Sequence, residues 1–366
     1  MKIGAAVVRA RGAPFSIEAV ELEPPRPDEI LVKVKAVGIC HTDLVVRDGM
    51  VSMPMPVVLG HEGAGVVEAV GARVGKVKTG DHVVMTFNSC GKCPSCRDGA
   101  NTYCLELSQR NFSGTRPDGS SALSKDGGII HGDFFGQSSF ASHAICHEIN
   151  VVKVPVDTPL ELLGPLACGL QTGAGAVMNV LKVSAGKTFA VFGAGSVGLA
   201  AVMAARVVGA AAIIAVDMNE QRLELAKSLG ATHAVNPRTA NPADEIMSIT
   251  GYGLNFALDT TGLPAVIRDA VESLAPGGAC GILGASTPDS EIILNETHFM
   301  SGGRRLMGVV QGESDPDLFI PMLIELYSKG QFPFDRLVRF YDFDQINQAA
   351  HDSQIGVTIK PILKFA

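Results

Sequence analysis

The sequence predicts an α/β protein in which a parallel-sheet region follows a mostly β region. Between about residues 187 and 284, apolar strands alternate with helical stretches, which is typical of βαβ units. Before about residue 150, short β-type runs are separated by Gly, Pro and Asp, which favours an all-β module with long loops. With 366 residues, 46% of them hydrophobic, the chain is long enough for two domains.

The predicted elements follow that division. The β-type runs of the first region cover residues 30–37, 57–70, 82–85 and 140–145. The strands of the second region cover residues 188–192, 213–216, 256–259 and 281–283, and helices are predicted at 199–208 and 220–229. The tail is mixed, with a helix near 317–329 and a final strand near 358–364.

Charge and hydropathy limit the classes of partner. A net charge of −7 argues against nucleic acid or an anionic membrane as the main partner, so a small molecule is expected. The first residues contain no uninterrupted apolar segment, and Arg206 interrupts the most apolar run, 198–216. We therefore expect neither a signal peptide nor a membrane span, and the reducing cytoplasm is the predicted location. In that compartment clustered cysteines are more often metal ligands than disulfides.

A glycine motif predicts a dinucleotide site. Gly193, Gly195 and Gly198 form G-x-G-x-x-G between an apolar strand and a helical run. Such glycines permit a tight turn and let backbone N–H groups approach a pyrophosphate at a helix N-terminus. Asp217 ends the next strand, where a carboxylate accepts hydrogen bonds from an adenosine ribose and repels a 2′-phosphate. The motif therefore predicts NAD rather than NADP. A second glycine cluster, 173–178, has no preceding strand and is interpreted as close helix packing.

Four cysteines predict a closed metal site. Cys90, Cys93, Cys96 and Cys104 have the spacing C-x₂-C-x₂-C-x₇-C, and their four thiolates can complete a tetrahedral zinc shell. An iron–sulfur cluster and a C-x-x-C redox pair are the alternatives. A fully cysteine-ligated zinc leaves no position for water or substrate, so this site is predicted to be structural.

The other cysteines and histidines give a weaker signal. Cys146 and Cys280 lie in apolar runs and are interpreted as packing residues. Cys40, His61 and Cys168 each lie among glycines or polar residues at the end of an apolar run. Two thiolates and one imidazole would leave a fourth position open on zinc. Spacing alone does not select these three residues, because they are scattered over 128 positions.

Here the chain resembles a known family. The pattern Gly60-His61-Glu62-x₂-Gly65-x₅-Gly71-x₂-Val74 is similar to the signature of zinc-containing medium-chain alcohol dehydrogenases. The resemblance extends over the chain through GICHTD, the four-cysteine segment, LACGLQTG, GAGSVG with its acidic partner, and the IKPIL ending. Within the family it most resembles aryl-alcohol (benzyl alcohol) dehydrogenases, through LELLGPLACGLQTGAGAVMNVL, FFGQSSFA and KGQFPFDRLVRFY.

The resemblance implies a domain organisation. A catalytic domain, mostly β and GroES-like, would comprise residues 1–169 with a structural-zinc lobe at about 88–106. A Rossmann-type NAD-binding domain would comprise residues 170–310, and residues 311–366 would return to the catalytic domain. It also implies a homodimer or homotetramer joined through the coenzyme domains.

The resemblance assigns roles as well. Cys40, His61 and Cys168 would hold a catalytic zinc, with Glu62 as a transient ligand and Asp43 fixing the tautomer of His61. The four-cysteine site would hold a second zinc. NAD contacts are implied for three further residues: Val197 at the nicotinamide ring, Thr172 near its carboxamide and Lys360 at a phosphate. A solvated strand-end lysine is the alternative for Lys360.

Proton release is the point at which the chain departs from the family. Thr42 resembles the family hydroxyl that takes the proton from the alcohol and passes it to the nicotinamide ribose. Val45 stands where well-known members have a histidine that completes the relay. Either the ribose hydroxyls pass the proton to water or His41 takes part. A phosphate contact is the alternative role for His41.

The predicted activity follows from these assignments. The resemblance implies NAD-dependent oxidation of a primary aromatic alcohol to the aldehyde, by hydride transfer from an alkoxide on the zinc. A general primary alcohol dehydrogenase and a glutathione-dependent formaldehyde dehydrogenase are alternatives, the latter through Arg110 and Arg116 at a pocket mouth. A non-catalytic zinc or cofactor-binding protein is the alternative outside enzymes.

Overall fold

The computed structural model describes residues 1–284, 287 and 289–365. The chain divides into two compact units. The first comprises residues 1–168, 315–324 and the chain from Asp335 to its C-terminal end, and the second comprises 169–314 and 325–334. The chain passes from one unit to the other after residues 168 and 314, whereas the predicted domain boundaries followed residues 169 and 310.

The first unit contains two mainly antiparallel sheets. One has the strand order β4-β1-β2-β7-β8, and the other has the order β10-β6-β5-β3-β18-β17 with β9 also paired to β3. Their strands are β1 Lys2–Val8, β2 Phe15–Leu22, β3 Glu29–Gly38, β4 Val57–Val58, β5 Glu62–Val70, β6 His82–Met85, β7 Leu123–Lys125, β8 Gly128–Ile130, β9 His143–His147, β10 Val151–Lys153, β17 Val338–Asp342 and β18 Lys360–Lys364.

Both ends of the chain build this first unit. Strand β18, close to the C-terminus, pairs antiparallel with β3, so that Leu363 lies opposite Val37. The strand also pairs parallel with β17. The predicted composition of the β-rich domain from both ends of the chain is therefore confirmed.

One predicted β run is split in two. The run 57–70 forms β4 and β5, and residues 59–61 between them are not in a strand. Gly60 has φ +91°, a conformation that glycine tolerates and other residues rarely adopt. This turn takes the chain out of the extended conformation immediately before His61.

The second unit is a six-stranded parallel sheet flanked by helices. The strand order β13-β12-β11-β14-β15-β16 corresponds to 3-2-1-4-5-6, the order of a Rossmann-type dinucleotide fold. The strands are β11 Thr188–Phe192, β12 Ala212–Val216, β13 His233–Val235, β14 Leu254–Asp259, β15 Leu274–Ile282 and β16 Arg305–Gly308. The order reverses between β11 and β14, which is where such sheets bind a ligand.

Eleven α-helices occur among the described residues. The first unit contains α1 His41–Arg47, α2 Pro94–Arg97, α3 Leu107–Phe112 and α11 Ile346–Gln354. The second contains α4 Gly169–Gly175, α5 Ser196–Val207, α6 Glu220–Leu229, α7 Pro242–Thr250, α8 Pro264–Glu272 and α9 Glu296–Ser301, and α10 Pro316–Ser328 has residues in both units. None of the described helices has the length and apolar character needed to cross a membrane.

The second glycine cluster packs helices together, as predicted. A side chain at Gly173 in α4 would collide with the carbonyl oxygen of Val197 in α5. The close approach of α4 and α5 therefore requires glycine at this position. Cys146 and Cys280 are both fully buried, and burial raises the pKa of both thiols, to about 12 for Cys280.

Candidate metal and coenzyme sites

The first unit brings together four potential metal ligands. Cys40 precedes α1, His61 precedes β5, and Cys168 follows a short 3₁₀ turn. The donor atoms of these three residues and of Glu62 lie within 4.8 Å of one another. Loops from three distant parts of the sequence therefore converge on one point.

His61 is oriented by a buried carboxylate. Its Nδ1 lies 3.0 Å from Oδ1 of Asp43, and both side chains are fully buried. The same carboxylate accepts hydrogen bonds from the backbone N–H groups of Cys40 and Gly60, at 2.8 and 3.1 Å. Asp43 therefore fixes the Nδ1–H tautomer, which leaves the lone pair of Nε2 available for a metal.

The donor chemistry fits a cation. Nε2 of His61 is buried and has no nitrogen or oxygen partner among the described residues. Burial alone would lower the pKa of His61, but Asp43 and Cys40 raise it well above its ordinary value. A hydrogen bond with Cys168, followed by one with His61, lowers the pKa of the Cys40 thiol well below its ordinary value. The site thus favours positive charge beside thiolate sulfur, as a zinc site requires.

Glu62 lies beside these donors in a buried ion pair. The ammonium of Lys360 donates to both carboxylate oxygens at 2.9 Å, and the two residues are 1% and 0% exposed. Burial raises the pKa of Glu62, and although the charge of Lys360 lowers it, the resulting pKa is about 7. Glu62 in turn raises the pKa of Lys360, and the bidentate contact favours the ionised pair. The alternative of a solvated lysine is therefore wrong, because this side chain points into the interior.

A cluster of three aromatic rings lies beside His61, and two of the rings contact its imidazole. The ring of Phe135 stacks on the imidazole with centroids 4.3 Å apart and an interplanar angle of 22°. Phe134 meets the imidazole edge-on at 5.3 Å, and Phe112 contacts both of the other phenyl rings. The sequence did not predict this cluster, because Phe112 and Phe134 lie on different segments and no spacing connects them.

The four-cysteine segment forms a separate cluster. The sulfur atoms of Cys90, Cys93, Cys96 and Cys104 lie within 4.8 Å of one another, and all four cysteines are free. Cys96 lies 3.5 Å from Cys93 and 3.9 Å from Cys90. Tetrahedral zinc with bonds of 2.3 Å places sulfur atoms about 3.8 Å apart, so these separations fit.

Backbone N–H groups also support thiolates in this cluster. The sulfur atom of Cys104 accepts from the backbone of Cys90 at 3.2 Å and of Glu106 at 3.4 Å. Hydrogen bonds from backbone N–H groups, of which that of Leu105 has the largest effect, lower the pKa of Cys93 to about 6. The base of the lobe is fixed by Asn111, whose amide exchanges two hydrogen bonds of 2.8 Å with the backbone of Asn88.

The glycine motif of the second unit lies at the end of β11. Gly193 has φ +98°, and a side chain at Gly198 would collide with the carbonyl oxygen of Gly193. Asp217 follows β12, accepting from the backbone N–H of Ala194 at 2.7 Å and of Asn219 at 2.8 Å. The carboxylate therefore lies against the loop between Gly193 and Gly195, which is the arrangement that the motif predicts.

Other coenzyme contacts predicted by resemblance also lie in this unit. Val197 is half-buried in the first turn of α5. Thr172 in α4 donates from its hydroxyl to the side chain of Gln311 at 3.4 Å. Arg222, which was not predicted from the sequence, also belongs to this site, because its guanidinium lies 3.9 Å from the Asp217 carboxylate. Its position in the first turn of α6, shortly after Asp217, is the signal in the sequence that could have identified it.

The proposed relay residues lie on α1. The hydroxyl of Thr42 is 3.7 Å from the sulfur of Cys40. His41 is exposed at the start of the helix, and Val45 is half-buried one turn later.

The two arginines considered for glutathione binding have partners within the first unit. Arg116 is 4% exposed and binds Glu29 through two hydrogen bonds of 2.7 and 2.8 Å. Arg110 forms an ion pair of 2.8 Å with Glu106. The expectation that both guanidinium groups are available at a pocket mouth is wrong for Arg116, because its charge is buried and neutralised.

Comparison with known proteins identifies the family. Residues 26–156 match the alcohol dehydrogenase GroES-like domain, and residues 196–328 match the zinc-binding dehydrogenase domain. The chain is 47% identical to geraniol dehydrogenase of Castellaniella defragrans, over 99% of this chain and 97% of that protein. The chain belongs to the zinc-dependent medium-chain alcohol dehydrogenase family.

Other members of this family show the range of named activities. The crystal structure of benzyl alcohol dehydrogenase from Acinetobacter calcoaceticus shares 49% identity with a TM-score of 0.98, and 100% of each chain is covered. S-(hydroxymethyl)glutathione dehydrogenase of Komagataella pastoris is 36% identical over 99% of this chain and 97% of its own. This family member is thus a zinc-dependent dehydrogenase acting on alcohols.

Proposed function

We propose that this alcohol dehydrogenase oxidises primary aromatic alcohols to aldehydes, with NAD as the hydride acceptor. The observation that carries the proposal is the cluster of Phe112, Phe134 and Phe135 beside His61. Phe134 and Phe135 are buried and Phe112 is half-buried, so the ring of Phe112 would meet the substituent next to the carbinol carbon, where a phenyl ring favours a flat apolar group. The relatives named for geraniol and benzyl alcohol support this choice, because both alcohols carry the carbinol on an unsaturated carbon.

The first unit would hold the metal through Cys40, His61 and Cys168. A zinc ion there supplies the Lewis acidity that lowers the pKa of an alcohol hydroxyl. Asp43 holds the imidazole in the ligating tautomer through its 3.0 Å contact. The buried pair of Glu62 and Lys360 keeps a second carboxylate close to the same point without adding net charge.

The proton leaves through a hydroxyl. We assign Thr42 as the group that accepts the proton of the alcohol, since its oxygen lies 3.7 Å from Cys40. Val45 cannot pass a proton further along α1. Release from the ribose hydroxyls to water, or through the exposed His41, then completes the path.

NAD is the coenzyme that Asp217 favours. A carboxylate held against the glycine loop accepts the ribose hydroxyls and repels a 2′-phosphate. The glycines at 193, 195 and 198, with Val197 and Thr172, would hold the pyrophosphate and nicotinamide portions. Bound NAD supplies the hydride acceptor.

Assembly and metal content belong to the same proposal. We propose two zinc ions per chain, one at each donor cluster. A homodimer or homotetramer would form through the coenzyme domain, where β16 is an edge strand that pairs with β15 alone among the described strands.

Parallel assays test the activity. Formation of the reduced coenzyme is measured side by side with benzyl alcohol, geraniol, ethanol and S-hydroxymethylglutathione, once with NAD and once with NADP. We expect the highest kcat/KM with benzyl alcohol and NAD. A preference for geraniol would shift the substrate class to alkenyl alcohols, and a preference for S-hydroxymethylglutathione would overturn the proposal in favour of formaldehyde metabolism. Failure with all four would favour a non-catalytic protein.

A further inference from the structure

The segment 133–139 has an unusual backbone. Asp133, Phe135 and Ser138 have φ values of +59°, +53° and +50°, and Gly136 lies between them at +65°. Residues other than glycine rarely adopt this region, and a bulky aromatic residue is a particular outlier. Clustered outliers persist only where surrounding structure determines them, and such clusters are frequent at functional sites.

The side-chain amide of Gln137 connects this segment to the main chain around His61. Gln137 is 2% exposed, and its amide nitrogen donates to the carbonyl oxygens of His61 and Met85, both at 3.0 Å. Its amide oxygen accepts from the backbone N–H of Gly63 at 3.2 Å and from the hydroxyl of Ser139 at 2.9 Å. The segment therefore anchors the main chain at His61 and at Gly63.

The side-chain contacts of the segment converge on the imidazole itself. The hydrogen bond that Nδ1 of His61 donates to Asp43 fixes only one atom of the imidazole. The ring can still tilt, because the second side-chain torsion of histidine has a broad minimum. The ring of Phe135 covers one face of the imidazole at 4.3 Å and 22°, and Phe134 meets it edge-on at 89°. A tilt about the Asp43 contact would press the imidazole into these rings.

We propose that Phe135 is a positioning residue for His61, which keeps Nε2 directed towards Cys40 and Cys168 and keeps water from that face of the imidazole. This inference rests on the proposed zinc at these three residues. Residues that orient a metal-binding histidine typically change metal affinity by 10-fold to 100-fold when they are replaced. The left-handed backbone of Phe135 is the conformational cost of placing its ring there.

The test compares two variants with a matched control. Phe135→Asn removes the ring and retains a residue that tolerates the left-handed region, and Phe135→Leu retains apolar bulk without a flat face. Phe343→Leu is the control, because the ring of Phe343 also packs on another ring at 4.3 Å, that of Phe365 in the same unit, tilted by 32°. Thermal unfolding of each holoenzyme is recorded alongside.

The readout is zinc release to 1,10-phenanthroline, a chelator that reacts first with a metal that has an open coordination position. The four-cysteine zinc is the internal reference within each chain. We expect both Phe135 variants to release one of the two zinc ions at least tenfold faster, with release of the other unchanged and Phe343→Leu at wild-type rates.

Three outcomes would overturn the inference. Two zinc ions with unchanged release rates would contradict it and leave the proposed function intact. If both Phe135 variants released both zinc ions faster by the same factor, the substitution would have destabilised the whole unit, and Phe135 would not be a specific positioning residue. Zinc at the four-cysteine site alone, in the wild-type protein, would contradict the proposed function as well.

Discussion

Lys360 and Glu62 form an ion pair in the interior of the first unit, next to the proposed zinc ligands. The structure gives the Lys360 ammonium two carboxylate contacts at 2.9 Å, and the ammonium also donates to the carbonyl oxygen of Ile39 at 3.4 Å. A buried charge that loses its partner is strongly destabilising, because it must be desolvated alone or change protonation. The residue therefore has a structural role that its predicted phosphate contact did not include.

Replacing Lys360 separates these two roles. We expect Lys360→Met to lower the thermal unfolding midpoint by about 10 °C, since an unpaired buried carboxylate costs about 3–5 kcal/mol. The double variant Glu62→Gln/Lys360→Met should recover most of that loss. Lys364→Met, on the exposed end of the same strand, is the control and should change little. An unchanged midpoint with a raised KM for NAD would instead favour the phosphate contact.

Asp133 is a second residue whose charge state matters. Burial, and after it the charge of Glu29, raises the pKa of this carboxyl to about 7, although Arg116 and Arg110 lower it. A folded-state pKa above the ordinary 3.8 stabilises the fold at low pH. That contribution declines as the pH rises from 3.8 through about 7, because the unfolded chain ionises more readily.

Replacing Asp133 with a neutral residue should remove this pH-dependent loss of stability. We expect Asp133→Asn to gain about 2 kcal/mol in free energy of unfolding relative to wild type between pH 5 and pH 8. Denaturant titrations at several pH values measure the difference. Asp126→Asn is a matched control, because Asp126 also has a left-handed backbone, at φ +51°, but is exposed. A difference that stays constant with pH would contradict the raised pKa.

At the scale of elements, the βαβ unit around Asp217 follows local rules. Helix α6 was predicted at 220–229 and has those bounds, because Asn219 caps its start and Gly230 ends it. Strand β11 also has its predicted bounds, 188–192. Capping residues and apolar runs are local signals, so a sequence can predict them without knowledge of the fold.

The proposed preference for NAD depends on Asp217 in this unit. We expect Asp217→Ser to lower the ratio of kcat/KM for NAD to that for NADP at least tenfold, because the carboxylate no longer repels a 2′-phosphate and Arg222 lies within reach. Glu220→Gln, in the first turn of α6, removes a neighbouring charge and should leave the ratio unchanged. Steady-state kinetics with both coenzymes measure it. An unchanged ratio for Asp217→Ser would show that Asp217 does not determine coenzyme specificity.

Other elements depend on contacts that the sequence does not display. The predicted run 57–70 is interrupted because Gly60 turns the chain towards His61. Three residues of the segment 133–139 other than Gly136 are left-handed, and a single glycine does not predict that conformation for its neighbours. The pairing of Lys360 with Glu62 joins positions 298 residues apart. Tertiary packing determines these features, and neither periodicity nor spacing carries a signal for it.

At the scale of the whole molecule, the two metal sites differ in their donor sets. The four cysteines can saturate a tetrahedral zinc, so that site can only stabilise its lobe. In the other cluster Glu62 is paired with Lys360, and the proposed ligands Cys40, His61 and Cys168 would leave a position for substrate. We therefore propose the more conspicuous cysteine motif as the structural site and the less conspicuous set as the catalytic one.

Loss of the closed site should affect stability first. We expect Cys93→Ser to lose one zinc ion and to lower the thermal unfolding midpoint or the yield of assembled protein, because the lobe loses its metal. Cys146→Ser, a buried cysteine outside both clusters, controls for the substitution itself. A variant that keeps two zinc ions would contradict a four-cysteine ligand set.

The most direct test of the two-site account is Cys168→Ser, assayed for zinc content, thermal unfolding and turnover of benzyl alcohol on one preparation. We expect one zinc ion per chain, an unfolding midpoint within a few degrees of wild type, and turnover reduced at least a thousandfold, since the Lewis acid is lost. Two retained zinc ions, or turnover close to wild type, would contradict the assignment of the open site as the catalytic one.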